Sequence, residues 1–146
     1  MNINRLILLV LFYICGESTK AQIPNWQWAR GDSGIKNSDK GNSIYTDANG
    51  NSYITGSIGS PTVSFGNTNL FNTVSNSSLP SLDIFIAKYD VSGTLVCAKN
   101  FGGSSDDSGS SICVDAMGNC YITGSFNSPV ISIGNFRTEK GRKIYF

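Results

Sequence analysis

The chain has 146 residues and a formal charge of +1, so it holds one domain's worth of sequence and no strong electrostatic field. Charged residues make up 14%, while Gly, Ser and Asn together supply 52 positions, which excludes a helical bundle; 40% hydrophobic content excludes a disordered chain. Near-neutrality argues against nucleic acid as a partner, and the absence of histidine removes the commonest general base and the commonest metal ligand.

The N-terminus reads as a secretory signal peptide over residues 1–21. Arg5 carries a positive charge, Leu6 to Cys15 form a ten-residue apolar run, and Thr19-Lys20-Ala21 suits cleavage after Ala21. Ten apolar residues are too few to span a bilayer, which takes about 20. Ile14 sits where a lipidation signal at Cys15 wants a small residue. The expected address is therefore secreted or cell surface, with no membrane span after cleavage. Cleavage leaves 125 residues with nine basic and nine acidic side chains. It also leaves three cysteines, Cys97, Cys113 and Cys120, an odd number on which no disulfide framework can rest.

The remaining chain repeats itself. Gly41 to Asn67 and Gly109 to Asn135 align without a gap at an offset of 68, with 17 of 27 positions identical. Upstream, with a one-residue slip, Trp28-Ala29-Arg30 answers Cys97-Ala98-Lys99. Each unit reads as short strands joined by tight turns. Ser43 to Thr46 and Ser52 to Ser57 flank Asp47-Ala48-Asn49-Gly50. The same Asp-x-x-Gly device recurs at Asp90 to Gly93 and at Asp115 to Gly118. Asp opens a type I turn by bonding back to the following backbone, and Gly in the fourth place takes the left-handed conformation that closes a bulged hairpin. Asp47, Gly50, Asp90, Gly93, Asp115 and Gly118 are thus expected as structural turn residues. Between the turns, Asp83 to Asp90 alternates Ile84 and Ile86 on one face with Phe85, Ala87 and Tyr89 on the other, so both faces should be covered. Val63 to Phe65 reads as a short strand and residues 67–81, rich in Asn, Ser and Thr, as an inserted loop. Residues 137–146 break the pattern, with five charges in ten positions.

These residues resemble the bacterial beta-propeller repeat family of the SBBP type. The resemblance is carried by D-A-x-G-N-x-Y-I-T-G-S at Asp47 to Ser57 and Asp115 to Ser125, by D-I-F-I-A-K-Y-D-x-x-G at Asp83 to Gly93, and by G-G-x-x-x-D-x-G-x-x-I at Gly102 to Ile112. It implies secreted or surface proteins in which several such units form a propeller, and it implies no shared catalytic residues. The expected fold is all-β, built of antiparallel blade-like sheets. The repeat units span 22–136, as 22–100 and a shorter 101–136, and the 125 residues left after cleavage amount to about 1.8 units of 68. A closed propeller needs at least four blades, so the expectation is an N-terminal piece of a larger protein, or several chains assembling one ring.

Candidate chemistry reads as structure. Asp47, Asn49 and Asn51 place oxygens at alternate positions, as a calcium loop does, but Ser52 stands where Gly is needed and Met117 replaces Asn49 in the second copy. Asp39 and Asp106-Asp107 offer carboxylates for acid–base work on glycans, yet they recur at one place in each unit, as a turn element does. The cysteines lack C-x-x-C spacing and occupy the places of Trp28, Tyr45 and Ser52. Trp26 and Trp28 suit stacking on sugars or packing between blades, and the counterpart Cys97 favours packing. No catalytic residue, metal or cofactor is expected, and binding residues stay unassigned. The leading expectation is a non-enzymatic scaffold or ligand-binding module whose partner is a protein or glycan at the cell surface, with self-association through open blades. The alternative is part of a secreted, polysaccharide-acting propeller enzyme. The outer faces of both units are expected to lack a partner within the chain.

Overall fold

The computed structural model describes residues 27–31, 33–34, 39–74, 81–133 and, for the backbone, 136–139. The signal-like segment, Trp26 and the end of the charged tail lie outside the described residues. The fold is all-β. Its strands are β1 Ser33–Gly34, β2 Lys40–Thr46, β3 Ser52–Ile58, β4 Thr62–Phe65, β5 Thr68–Phe71, β6 Asp83–Tyr89, β7 Leu95–Phe101, β8 Asp107–Val114, β9 Cys120–Phe126, β10 Val130–Ile133 and β11 Phe136–Glu139.

The first unit is a four-stranded antiparallel sheet in the order β2-β3-β6-β7. Successive residues alternate between its faces. The row Ile44, Ile54, Ala87, Ala98 crosses one face, and the row Tyr45, Tyr53, Lys88, Cys97 crosses the other. Both faces carry apolar residues because both are packed against something.

The first face is covered by a hairpin that the sequence reading took for loop. β4 pairs with β5 across a two-residue turn, Gly66-Asn67, with Gly66 at φ 57. A Gly–Asn pair accepts the positive φ that such two-residue turns require, and Asn, Ser and Thr on the outer side do not prevent pairing. The expected loop over 67–81 is thus corrected at Thr68–Phe71, which is strand. Val63, Phe65 and Leu70 from this hairpin are buried against Phe85, Ala87 and Tyr89. The Phe65 and Phe85 rings lie 5.2 Å apart and tilted by 45°, a favourable aromatic contact. Trp28 joins the same cluster, 5.8 Å from the Tyr89 ring. The outer face of the first unit therefore has a partner within the chain over β6, and only its inner part, at Ile44, stays open.

The second face carries the second unit. β8 and β9 form a two-stranded antiparallel sheet. Its ladder copies that of β2 and β3 down to the register slip, which falls between Gly41 and Ser43 in one and between Gly109 and Ser111 in the other. Ile112, Val114 and Ile122 form a buried cluster with Tyr53, flanked by Tyr45, Ile86, Phe101 and Cys120. β8 lies across β2 and β3 and reaches β6. β10 and β11 pair as β4 and β5 do, with β11 running into the charged segment. No helix among the described residues is long and apolar enough to cross a membrane.

Candidate functional site

The three Asp-x-x-Gly turns are built alike. Gly50, Gly93 and Gly118 have φ of 81, 78 and 87, a region that costs an L-residue about 1 kcal/mol or more. Each Gly N–H donates to the carbonyl of its Asp at 2.9–3.0 Å. Asp47 Oδ1 accepts the backbone N–H groups of Asn49 and Asn51, both at 2.9 Å. Asp115 does the same for Met117 and Asn119, and Asp90 for Ser92 and Thr94.

The repeated motif extends this clamp. Asn51 Nδ2 donates to Asp47 Oδ2 at 2.8 Å and the Tyr53 hydroxyl donates to the same oxygen at 3.2 Å. Asn119 and Tyr121 repeat both bonds on Asp115, at 2.8 and 3.1 Å. The D-A-x-G-N-x-Y pattern is thus one hydrogen-bonded unit. The Asn side-chain bond is the first cause holding the Asp47 and Asp115 carboxyls below their ordinary value; for Asp90 it is the Ser92 hydroxyl. All three remain ionised at neutral pH.

Stacking of the units brings the first and third turns together. Between them lies a cleft of about 380 Å³, walled by Asp47, Ala48, Asn49 and Asn51 on one side and Asp115 to Gly118 on the other. Tyr45, Tyr53, Lys88 and Val114 line its floor. The Lys88 ammonium sits 5.0 Å from the centroid of the Tyr53 ring, a cation–π distance. Its hydrogen bond with Tyr53 holds its pKa above the ordinary value. The cleft thus combines two carboxylates, one ammonium and two phenol rings, and Met117 stands exposed at its rim. The sequence reading placed the turns but not their meeting. The offset of 68 carries that signal only once the two faces are known to stack.

The other candidates separate. Asp39 and Asp107 hold the same connection in each unit. Asp39 accepts from the N–H groups of Gly59 and Ser60 and from the Ser60 hydroxyl at 2.6 Å. Asp107 accepts from Asn127, from Ser128 N–H and hydroxyl, and from Gly103 N–H. Asp106 accepts from Leu82 N–H at 3.0 Å. These carboxylates shape strand connections and do not face one another as an acid–base pair. Trp28, expected between blades, instead packs on Tyr89 and over Gly93, where a Cβ would lie 2.6 Å from its ring. Cys97 and Cys113 are exposed, Cys120 is half-buried, and all three are free thiols. Burial, as the largest cause, pushes the Cys120 thiol up, which disfavours the reactive thiolate.

Asp83 escaped the sequence reading. It is buried at the start of β6, and its Oδ2 accepts Thr73 N–H and hydroxyl, both at 2.7 Å, and Asn100 at 3.1 Å. Its Oδ1 has no hydrogen-bond partner among the described residues. Burial, the largest cause, raises its pKa. An acid opening a strand whose two faces are both apolar was the available signal.

A four-stranded antiparallel sheet with a second unit stacked face to face defines an all-β repeat protein of the blade type. A family model of the SBBP beta-propeller repeat matches residues 31–61, a span that holds β2 and β3. The 68-residue self-similarity brings the count to about two such repeats. No curated protein or solved structure gives a match to the chain.

Proposed function

We propose that the chain is a repeat module delivered to the cell surface or secreted, without catalysis of its own, that serves as a scaffold and ligand-binding surface within a larger propeller-type assembly. The observation that carries this reading is the stack of two units, which creates the inter-turn cleft from side chains of both. Catalysis would need groups free to exchange protons with a substrate. Here the carboxylates of both turns are occupied by donors of their own hairpins. The Asn49 amide, the phenol rings and the Lys88 ammonium suit a hydroxyl-rich ligand such as a neutral glycan, or a polar peptide.

Expression of the full chain followed by cell fractionation tests the address. The expected product lies outside the cytoplasm and begins at Gln22; an intact Met1 form confined to the cytoplasm refutes it. Incubation with neutral oligosaccharides tests the rest. Retained binding weakened by Lys88→Ala, with no new reducing ends, supports a binding module. Release of reducing ends supports the polysaccharide-acting alternative.

A further inference from the structure

The offset of 68 maps each residue of the first unit onto a counterpart in the second, and the counterparts differ in cover. Ile112 is 5% exposed, whereas Ile44 is 62% exposed. Tyr53 is 3% exposed, whereas Tyr121 is 45% exposed. Tyr45 is half-buried and its counterpart Cys113 is exposed. The face that the second unit buries against the first thus lies open on the first unit, at Ile44. The face that the first unit buries under the second lies open on the second unit, at Cys113 and Tyr121.

The two-strand backbone under these faces is the same, while the β6 and β7 part of the internal stack, with Ile86 and Phe101, has no counterpart among the described residues of the second unit. Ile44 pairs with Ile54 as Ile112 pairs with Ile122, and Tyr45 pairs with Tyr53 as Cys113 pairs with Tyr121. The hairpin beside the Ile44 face is no obstacle. Its counterpart strand β10 does not prevent the second unit from stacking on the first, and itself touches β7 of the neighbouring unit.

We infer that a second copy of this chain docks head to tail, placing its Ile44–Ile54 face on the Cys113–Tyr121 face of the first copy in the register of the internal stack. This rests on the stacked-unit reading of the proposed function and adds the partner and its orientation. Inside the chain, Ile112 N–H donates to Ser43 Oγ at 3.3 Å. Moving both residues by 68 sets Ile44 of one copy against Ser111 of the other. The second copy is the fitting occupant because each open face has its complement already buried within the same sequence. The two faces differ, so the contact is heterologous: a dimer still offers one of each, and growth continues to a ring or a filament.

Sedimentation of the purified chain over a range of concentrations tests this, with variants at the two faces. The parent's average mass should rise with concentration. Ile44→Lys alone and Tyr121→Lys alone should each sediment as monomers with unchanged circular dichroism. An equimolar mixture of the two should give a dimer and stop there, because one intact face of each remains and the outer faces are blocked. A chain with Ile44→Cys and a chain with Ser111→Cys should form a mixed disulfide at 44–111. The internal bridge of Ser43→Cys with Ile112→Cys is the reference. If it fails to form, the stacked-unit reading itself falls. If it forms while the parent stays monomeric, or while the Lys variants associate alone, or while their mixture remains monomeric, the head-to-tail docking is overturned by itself.

Discussion

Truncating the same isoleucine in each unit measures what the stack contributes. Ile112 lies in the buried cluster with Tyr53, Val114 and Ile122, whereas Ile44 is 62% exposed on the open face. Ile112→Ala removes methyl and methylene groups from a filled interior and leaves a cavity lined by both units, a change that costs about 2–5 kcal/mol. Ile44→Ala forfeits only the fraction of burial that Ile44 has. At about 1.5–3 kcal/mol for complete burial, a little over a third of that is about 0.5–1 kcal/mol. Local strand propensity is the same at both positions because the ladders are the same, so it cancels in the comparison. Urea unfolding followed by tyrosine fluorescence and circular dichroism, at concentrations where the chain is monomeric, gives both values. Against a total stability of about 5–15 kcal/mol, a difference of 1 kcal/mol or more is readily measured. Equal costs at the two positions refute the stack, because they mean that the second unit does not bury Ile112 against the first.

Further outcomes are expected. Gly118→Ala should cost about 1 kcal/mol in thermal or urea unfolding, since Gly118 has φ 87 and open space around it. Gly50→Ala should cost more, because its Cβ would lie 3.1 Å from Val91, and equal costs would remove the role of that neighbour. Asp83 has a pKa raised by burial above the ordinary 3.8, so folding favours its protonated form, and its contribution is full below that value and lost as pH rises through the raised one. Asp83→Asn should therefore gain on the parent as pH climbs from about 4 toward neutrality, and a difference independent of pH refutes the assignment. Asp47, Asp90 and Asp115 have the opposite sign: their contribution is present above 3.8 and lost as pH falls through their lowered values. Non-reducing peptide mapping should find Cys113 and Cys120 unbridged, since they point to opposite faces of one hairpin; a 113–120 disulfide contradicts the register.

Much of the fold was legible because it is written locally and twice. An Asp that bonds its own turn and a Gly at positive φ need no distant partner, so Asp47, Asp90 and Asp115 marked three hairpins from sequence. The alternation of Asp83 to Tyr89 announced a strand covered on both faces for the same reason. The covering element was not legible. Thr68 to Phe71 forms strand because Val63, Phe65 and Leu70 bury themselves against β6, a contact between residues about 20 apart that polar neighbours disguise. Gly66-Asn67 was the overlooked hairpin signal. The cleft was not legible either, because Asp47 and Asp115 meet through the packing of faces and not through any spacing. Trp28 followed the same pattern: its alignment with Cys97 suggested packing between blades, but residues 27–31 run without regular structure over the Tyr89 end of the first sheet.

The two units share no backbone ladder among the described residues. What joins them is side-chain packing and scattered hydrogen bonds, with Asn42 donating to Gly109 O at 2.8 Å, Ser43 accepting from Ile112, and Asp107 N–H donating to Leu82 O at 2.7 Å. In mechanical terms, each unit is a stiff plate and the boundary between them is a pliant seam. A ladder resists shear through many hydrogen bonds loaded at once, whereas an apolar seam resists only while its faces touch. Tension along the chain should part the plates before it unzips either of them, leaving each plate intact and ready to close again. An array of such plates would lengthen in steps under load without losing its folded units.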